Sequence, residues 1–267
     1  MKNCIITIPV YKKTLSQNEL ISFKQVTTIL KKWDFSIVTY RELDLSFYTD
    51  ILDKTEVNYK VNFFKKLYFE NVHGYNMLMV SLDFYKTFNA EYKFLLIYQI
   101  DCFIFTDQIE KWCKKNYSYI GAPWPHGAQN EPIQFKYVGN GGLSLRKIED
   151  HIRVIKSSTL LNSIFSLNLP KRLKQWYAYL RLTYKNTSLF KKNTKNEDMF
   201  FGKNSSKTFS FFTIPTPKEA LLFSIESRPE ECIEVNKVLP MGIHAWEKYD
   251  KKYWTPYIEK VGFTIIK

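Results

Sequence analysis

The chain has 267 residues, a formal charge of +13 from 39 Lys+Arg against 26 Asp+Glu, and 45% hydrophobic content that includes 21 Phe, 18 Tyr and 6 Trp. Aromatic residues at that density exclude a disordered chain, which lacks the apolar area to offset conformational entropy. Nine Gly and ten Pro exclude collagenous or low-complexity architecture. The length suits one large domain over 1–267, since a chain of this size buries roughly three quarters of its unfolded surface around one core. Cys4, Cys102, Cys113 and Cys232 are scattered without a Cys-x-x-Cys pair and no signal peptide precedes them, so reduced thiols in a cytoplasmic protein are expected. The longest apolar runs, such as Phe94 to Tyr98, are far too short for a membrane span.

Cys4 to Val10 is a nearly continuous apolar run stopped at Pro9, the pattern of a strand buried on both faces in a parallel sheet. Ser16 to Glu19 has the spacing of a capping box, and Leu20, Phe23, Val26, Leu30 and Trp33 recur at helical steps behind it. Phe35 to Tyr40 then reads as a second strand, which makes a right-handed βαβ unit. Asn62 to Phe88 is expected to form two helices parted near His73-Gly74, and Lys93 to Tyr98 the strongest strand. Gln99-Ile100-Asp101 sits where that strand emerges, the edge at which open α/β sheets bind ligands, and Thr106-Asp107 can start a helix. Gly121, Pro123, Pro125, Gly127, Gly139, Gly141 and Gly142 mark a loop-built segment. The stretch 153–195 is basic and aromatic with a helical pattern, and short strands and helices follow from Glu197 onward.

Four constellations can carry chemistry. Asp101, at a strand end, can hold Mg²⁺ or Mn²⁺, and the alternative is a turn or cap carboxylate. Asn196 to Gly202 places Glu197 and Asp198 before an aromatic pair, as a base in a dry pocket or as an acidic helix start. Val138 to Arg146 holds glycines through which backbone amides approach a ligand, or a tight turn entering a strand; it matches neither a P-loop nor a dinucleotide pattern. His244 is a lone histidine in a turn beside Trp246, a structural hydrogen bonder or one ligand of an oxygen-rich metal site.

The order of these blocks resembles the type-A glycosyltransferases. Tyr98 to Asp101, Tyr119 to Trp124, Gly139 to Arg146, Asn196 to Phe201 and Pro240 to Trp246 are similar to successive blocks of a glycosyltransferase-like family of bacteria and viruses. The resemblance implies an α/β fold with a Rossmann-like, mostly parallel central sheet flanked by helices, with 1–105 as the nucleotide-donor half and 106–267 as the acceptor half. It implies transfer of a sugar from a UDP- or GDP-type donor to a saccharide or lipid-linked hydroxyl, as in surface glycan or lipopolysaccharide assembly, by an inverting route with Mn²⁺ or Mg²⁺. On the donor side it places Thr7, Pro9, Val10 and Tyr11 around the base, Gln99 at the ribose in place of the usual first aspartate, and Gly141, Gly142 and Arg146 around the sugar diphosphate. Asp101 and His244 stand as metal ligands, Asp198 as general base with Glu197 beside it, and Trp124 and Asn140 on the acceptor side.

Two other classes compete. Lys171 to Lys192 interleaves basic residues with Trp and Tyr, as in single-stranded nucleic-acid binding, in a helix that docks on anionic lipid at the inner membrane face, or in a solvated surface. Gln99 also leaves open a degenerate sugar-nucleotide-binding protein without turnover. A nucleotidyltransferase is disfavoured because Pro9 to Lys13 lacks a glycine-rich loop.

Overall fold

The computed structural model describes residues 1–127, 132–166 and 196–265. Its centre is a six-stranded sheet built from β1 (Lys2–Pro9), β2 (Asp34–Thr39), β3 (Tyr59–Phe63), β4 (Tyr92–Tyr98), β6 (Tyr119–Gly121) and β9 (Leu143–Lys147), in the order β3-β2-β1-β4-β9-β6. The first four pair in parallel, and β9 runs antiparallel between β4 and β6. The apolar runs follow from this placement, because helices cover both faces and successive side chains enter opposite cores. Phe94, Leu96 and Tyr98 join Ile6, Ile8, Phe23 and Val26 in one core, while Leu95 and Ile97 join Ile5, Phe84 and Phe88 in the other.

The first helix, α1 (Gln17–Ile29), carries the expected capping box: Ser16 Oγ accepts from the Glu19 amide, and the Glu19 carboxylate accepts from Ser16 N at 2.8 Å. Two readings of the sequence are corrected. Between Asn62 and Phe88, β3 ends at Phe63 and the helices are Val72–Met79 and Leu82–Asn89, which break at Ser81 rather than at His73-Gly74. Asn71 and Ser81 each cap a helix N-terminus, so Gly74 lies inside a first turn. The glycine- and proline-rich segment is a hairpin of β7 (Pro123–His126) and β8 (Gln134–Val138), preceded by β6, rather than a loop. The helix Ile109–Lys115 starts just after Thr106-Asp107 as anticipated, with Gln108 at its N-cap and Asp107 Oδ1 accepting from Ile109 N at 3.1 Å. Lys171 to Lys192 lies outside the described residues. Among the described residues, no helix is long and apolar enough to cross a membrane.

A second, three-stranded sheet does much to build the site. It joins β5 (Phe103–Ile104), β10 (Ser224–Ile225) and β11 (Gly242–Ile243) in the order β10-β11-β5. Phe103 pairs with Ile243, and Ile225 pairs with Ile243 from the other side. That register sets Asp101, Glu226 and His244 at one sheet end although 143 positions separate the first from the last.

Candidate active site

Strand register alone collects the first half of the site. Tyr98 pairs with Leu143, and Gln99 N donates to Gly142 O at 2.9 Å, so the Gly141-Gly142 bend lies beside the chain that leaves β4. The His244 amide donates to Ile225 O at 3.0 Å, which brings Glu226 next to the imidazole. The result is a cleft of about 630 Å³ at the carboxyl end of the parallel strands, where a switch in strand order leaves a ligand crevice.

Most of the residues singled out in the sequence line this cleft: Pro9, Tyr11, Gln99, Asp101, Asn140, Gly141, Gly142, Glu197, Asp198 and His244. Thr7, Val10 and Arg146 do not. Thr7 Oγ1 donates to Leu96 O at 3.0 Å within the sheet, and Val10 continues the inward face of β1 into the core. Arg146 is fully buried behind the cleft wall, where Nη2 meets Glu197 Oε1 at 2.9 Å, Nε donates to Ser144 Oγ at 2.9 Å and Nη1 to the Tyr85 hydroxyl at 3.1 Å. It compensates a carboxylate of the protein, so it holds Glu197 in place instead of facing a leaving group. Trp124 borders a separate, smaller pocket.

The two glycines have a steric purpose different from the expected amide contacts. A Cβ at Gly141 would collide with Glu197 Oε1, and one at Gly142 with His244 Nε2. Their missing side chains are the space into which the two functional groups project. Asn140 Oδ1 accepts from Gly142 N at 3.0 Å and fixes the bend.

His244 is held from both ring nitrogens. Nδ1 lies 3.1 Å from Glu226 Oε1, and Nε2 lies 3.1 Å from Gln99 Oε1 and 3.5 Å from Asp101 Oδ1. Burial disfavours the imidazolium, but the Asp101 and Glu226 carboxylates outweigh it and raise the pKa to about 9. Burial likewise opposes ionisation of Asp101, yet His244 beside it holds the carboxyl below its ordinary value.

These residues fit a divalent cation. Asp101 Oδ1 is buried without a hydrogen-bond partner, and with His244 and Cys102 it forms a group whose ligand atoms lie within 4.8 Å of one another. Cys102 drops out on chemistry, since its thiol donates to Gly142 O at 3.3 Å and burial pushes its pKa up, away from the thiolate a metal needs. What remains is one carboxylate, one imidazole whose Nε2 proton a bound metal would displace, and the Gln99 carbonyl, an oxygen-rich set suited to Mn²⁺ or Mg²⁺. Glu226 stands where a carboxylate orients a metal-binding histidine through its other nitrogen.

Asp198 occupies the other side of the cleft, at the start of the π-helical turn Met199–Ser205, and its Oδ1 accepts from Met199 N at 2.6 Å. The expectation of an acidic helix start and that of a site carboxylate therefore meet in one residue. Burial, and next the neighbouring Glu197 charge, raise its pKa to about 7. Glu197 itself is positioned by Arg146 and by its amide, which donates to Asn76 Oδ1 at 2.9 Å.

The family described as "Protein of unknown function (DUF5672)" matches residues 58–244. The chain belongs to this family. No curated protein matches it in sequence. Among solved structures, mouse xyloside xylosyltransferase 1 in its apo form is similar with a TM-score of 0.51 at 10% identity, over 91% of this chain and 96% of that one. A glycosyltransferase involved in glycosylation of the major capsid of PBCV-1 aligns with a TM-score of 0.42 at 12% identity, over 96% and 99%. Core-mannan synthase A of Aspergillus fumigatus, in an Mn/GDP form, gives 0.41 at 9% identity, over 58% and 63%. The fold of this family member is that of the type-A glycosyltransferases, a mixed α/β architecture with a mostly parallel sheet.

Several lining residues had no motif to reveal them. Glu226 follows a two-residue strand, Lys248 and Tyr249 follow the His244 turn, and Tyr68, Phe69 and Tyr75 come from the stretch read only as helical.

Proposed function

We propose that this protein is a glycosyltransferase that moves a sugar from a nucleotide-diphosphate donor to a saccharide hydroxyl. The observation that carries the reading is the position of Asp198, which lines both the large cleft and the smaller pocket that contains Trp124. A base at the junction of two cavities faces two substrates at once. In this reading Pro9 and Tyr11 receive the base, Gln99 the ribose, and the Gly141-Gly142 bend the donor sugar, while Trp124 borders the acceptor; Asn140, expected on the acceptor side, lines the donor cleft instead. Residues 1–105 thus supply the floor of the donor cleft, and 106–267 add its Asn140, Gly142, Glu226 and His244 wall together with the acceptor pocket.

The charge of the cleft supports a metal. Glu19, Glu70, Asp101, Glu197, Asp198 and Glu226 line it; Lys12 pairs with Glu19 and Arg146 with Glu197, which leaves Glu70, Asp101, Asp198 and Glu226 against Lys248 and His244. A diphosphate entering such a site meets repulsion, which in a partly desolvated cleft is far stronger than in water. Asp101, His244 and Gln99 would hold Mn²⁺ or Mg²⁺, which when bound supplies the positive charge that a diphosphate leaving group needs. Asp198 takes the proton from the acceptor hydroxyl, the oxygen bonds to the anomeric carbon, and the carbon–oxygen bond to the nucleoside diphosphate breaks with its electron pair on the leaving oxygen. A direct displacement of this kind inverts the anomeric centre. Asp198 is well tuned for the task, because a base works best with a pKa near the operating pH.

The test is release of nucleoside diphosphate from a panel of UDP- and GDP-sugars with Mn²⁺ and mixed oligosaccharide acceptors, for the wild type and for Asp198→Asn. Release that vanishes in the variant while nucleotide binding persists supports the reading, and equal turnover in the variant removes Asp198 as base. Nucleotide binding with no turnover in the wild type would establish the degenerate sugar-nucleotide binder instead.

A further inference from the structure

We infer that the pocket beside Asp198 selects an acidic saccharide, a sugar that bears a carboxylate or phosphate near the hydroxyl to be glycosylated; this rests on the transferase reading above. The pocket has a volume of about 390 Å³, within the range of small-ligand sites, and Asn196 and Asp198 line it as they do the donor cleft. Its remaining polar and aromatic lining is Trp124, His126, Lys136, Tyr137 and Lys203.

The hairpin explains how these side chains come together. Pro123 pairs with Val138 and Pro125 with Phe135, with an irregularity between Pro123 and Pro125. A bulge of that kind re-aims side chains, and here it falls at Trp124, opposite the Lys136-Tyr137 dipeptide. The Met199–Ser205 turn brings Lys203 against the same strand, with Nζ 4.4 Å from the Tyr137 ring centroid, and Lys207 follows at 5.1 Å. Two aromatic faces are thereby combined with ammonium groups that the ring holds in place.

Those ammonium groups have no carboxylate partner among the described residues. Among the described residues, none of Lys136, Lys203 and Lys207 takes part in a salt bridge, and Asp198 is the one carboxylate that lines the pocket. The donor diphosphate does not account for the cations, because its cation site lies at Asp101 and His244 in the other cavity. An anionic group on the acceptor would complete the arrangement: it pairs with Lys203 and Lys136 through charge-assisted hydrogen bonds while its sugar ring lies against Trp124 or Tyr137 and its hydroxyl meets Asp198.

The experiment is calorimetric titration of the full chain with three probes, cellobiose, its glucuronic-acid counterpart cellobiouronic acid, and glucose 6-phosphate, at low and at 0.5 M salt. The same titrations are run on the Lys136→Gln/Lys203→Gln double variant, whose folding is checked by thermal melting and by binding of UDP or GDP with Mn²⁺. One of the two acidic probes is expected to bind about tenfold or more tighter than cellobiose, and the preference is expected to collapse in the double variant and in high salt. The stronger acidic probe distinguishes a carboxylate from a phosphate. Equal binding of neutral and acidic probes, absence of saccharide binding, or a preference that survives in the double variant overturns the inference. Loss of nucleotide binding in the wild type would instead remove the transferase reading, so the two failures are distinct.

Discussion

Six carboxylates line the larger cavity against Lys248 and His244, whereas Lys136, Lys203 and His126 line the smaller one with Asp198 as its one described carboxylate. The two cavities share Asn196 and Asp198, yet they present opposite charge to whatever enters them. The overall +13 therefore says little about the larger cavity, where in the proposed reading an anion needs a cation brought along with it. It says more about the smaller pocket, where the protein provides the cations itself. Asp198 stands on the boundary: burial and Glu197 keep its proton more firmly held than in an ordinary aspartate, so it is a stronger base than the surface would supply.

The sharpest way to break this comparison is to neutralise the boundary. Asp198→Asn is expected to lower transfer by about 10²–10⁴-fold, the range for removing a general base, while leaving nucleotide affinity within about twofold. Steady-state kinetics paired with calorimetry checks both halves of that statement. Nearly as large is the effect expected on the acidic side from Arg146→Met, which leaves Glu197 buried without its partner. Breaking one half of a buried ion pair costs about 3–5 kcal/mol, to be read from denaturant unfolding.

The metal side offers a smaller test. Glu226→Gln weakens the orientation of His244 and is expected to reduce Mn²⁺ affinity about 10–100-fold, measured directly by calorimetry with Mn²⁺ alone. A variant with unchanged Mn²⁺ affinity would separate Glu226 from the cation site.

The last test is on stability, and its sign is specific. The folded pKa of Asp198 is raised to about 7, well above the ordinary aspartate value, so the folded state binds a proton that the unfolded chain has released. Stability from this group is greatest below the unfolded value and is lost as pH rises towards 7. Asp198→Asn removes that cost, so its melting temperature is expected to exceed the wild type at pH 8 and to match it near pH 4. The same ionisation gives the pH profile of turnover. Below about pH 7 the rate is expected to fall about tenfold per unit, with Glu197, Arg146 and Glu226 as the charges that set the midpoint.

What could be read from the sequence follows from how each signal arises. Strands with both faces buried, such as Cys4 to Pro9 and Lys93 to Tyr98, announce themselves because each of their inner residues needs an apolar partner. Asp101, Glu197, Asp198 and His244 were legible because chemistry-bearing residues at strand ends and beside aromatic or glycine-rich blocks are conspicuous. β3 was not, since its residues are only half-buried at a sheet edge and no alternation survives there. The β7–β8 hairpin was hidden by its own glycines and prolines, which mark turns in sequence but here lie within or flank short paired strands. Glu226 carries no local signal, because its role depends on a strand pairing between Ile225 and Ile243. Arg146 was legible as important and misplaced in role: a basic residue after a glycine bend invites a phosphate, whereas burial shows that it answers Glu197.

The central claim is that this acidic cleft takes a nucleotide diphosphate only in company with a divalent cation. Calorimetric titration of the wild type with UDP and with GDP, each with Mn²⁺ and in excess chelator, tests it most directly. The account predicts binding of one of the two nucleotides with Mn²⁺ and an affinity at least about tenfold weaker in chelator. Equal affinity with and without the metal, or no binding of either nucleotide, would contradict it.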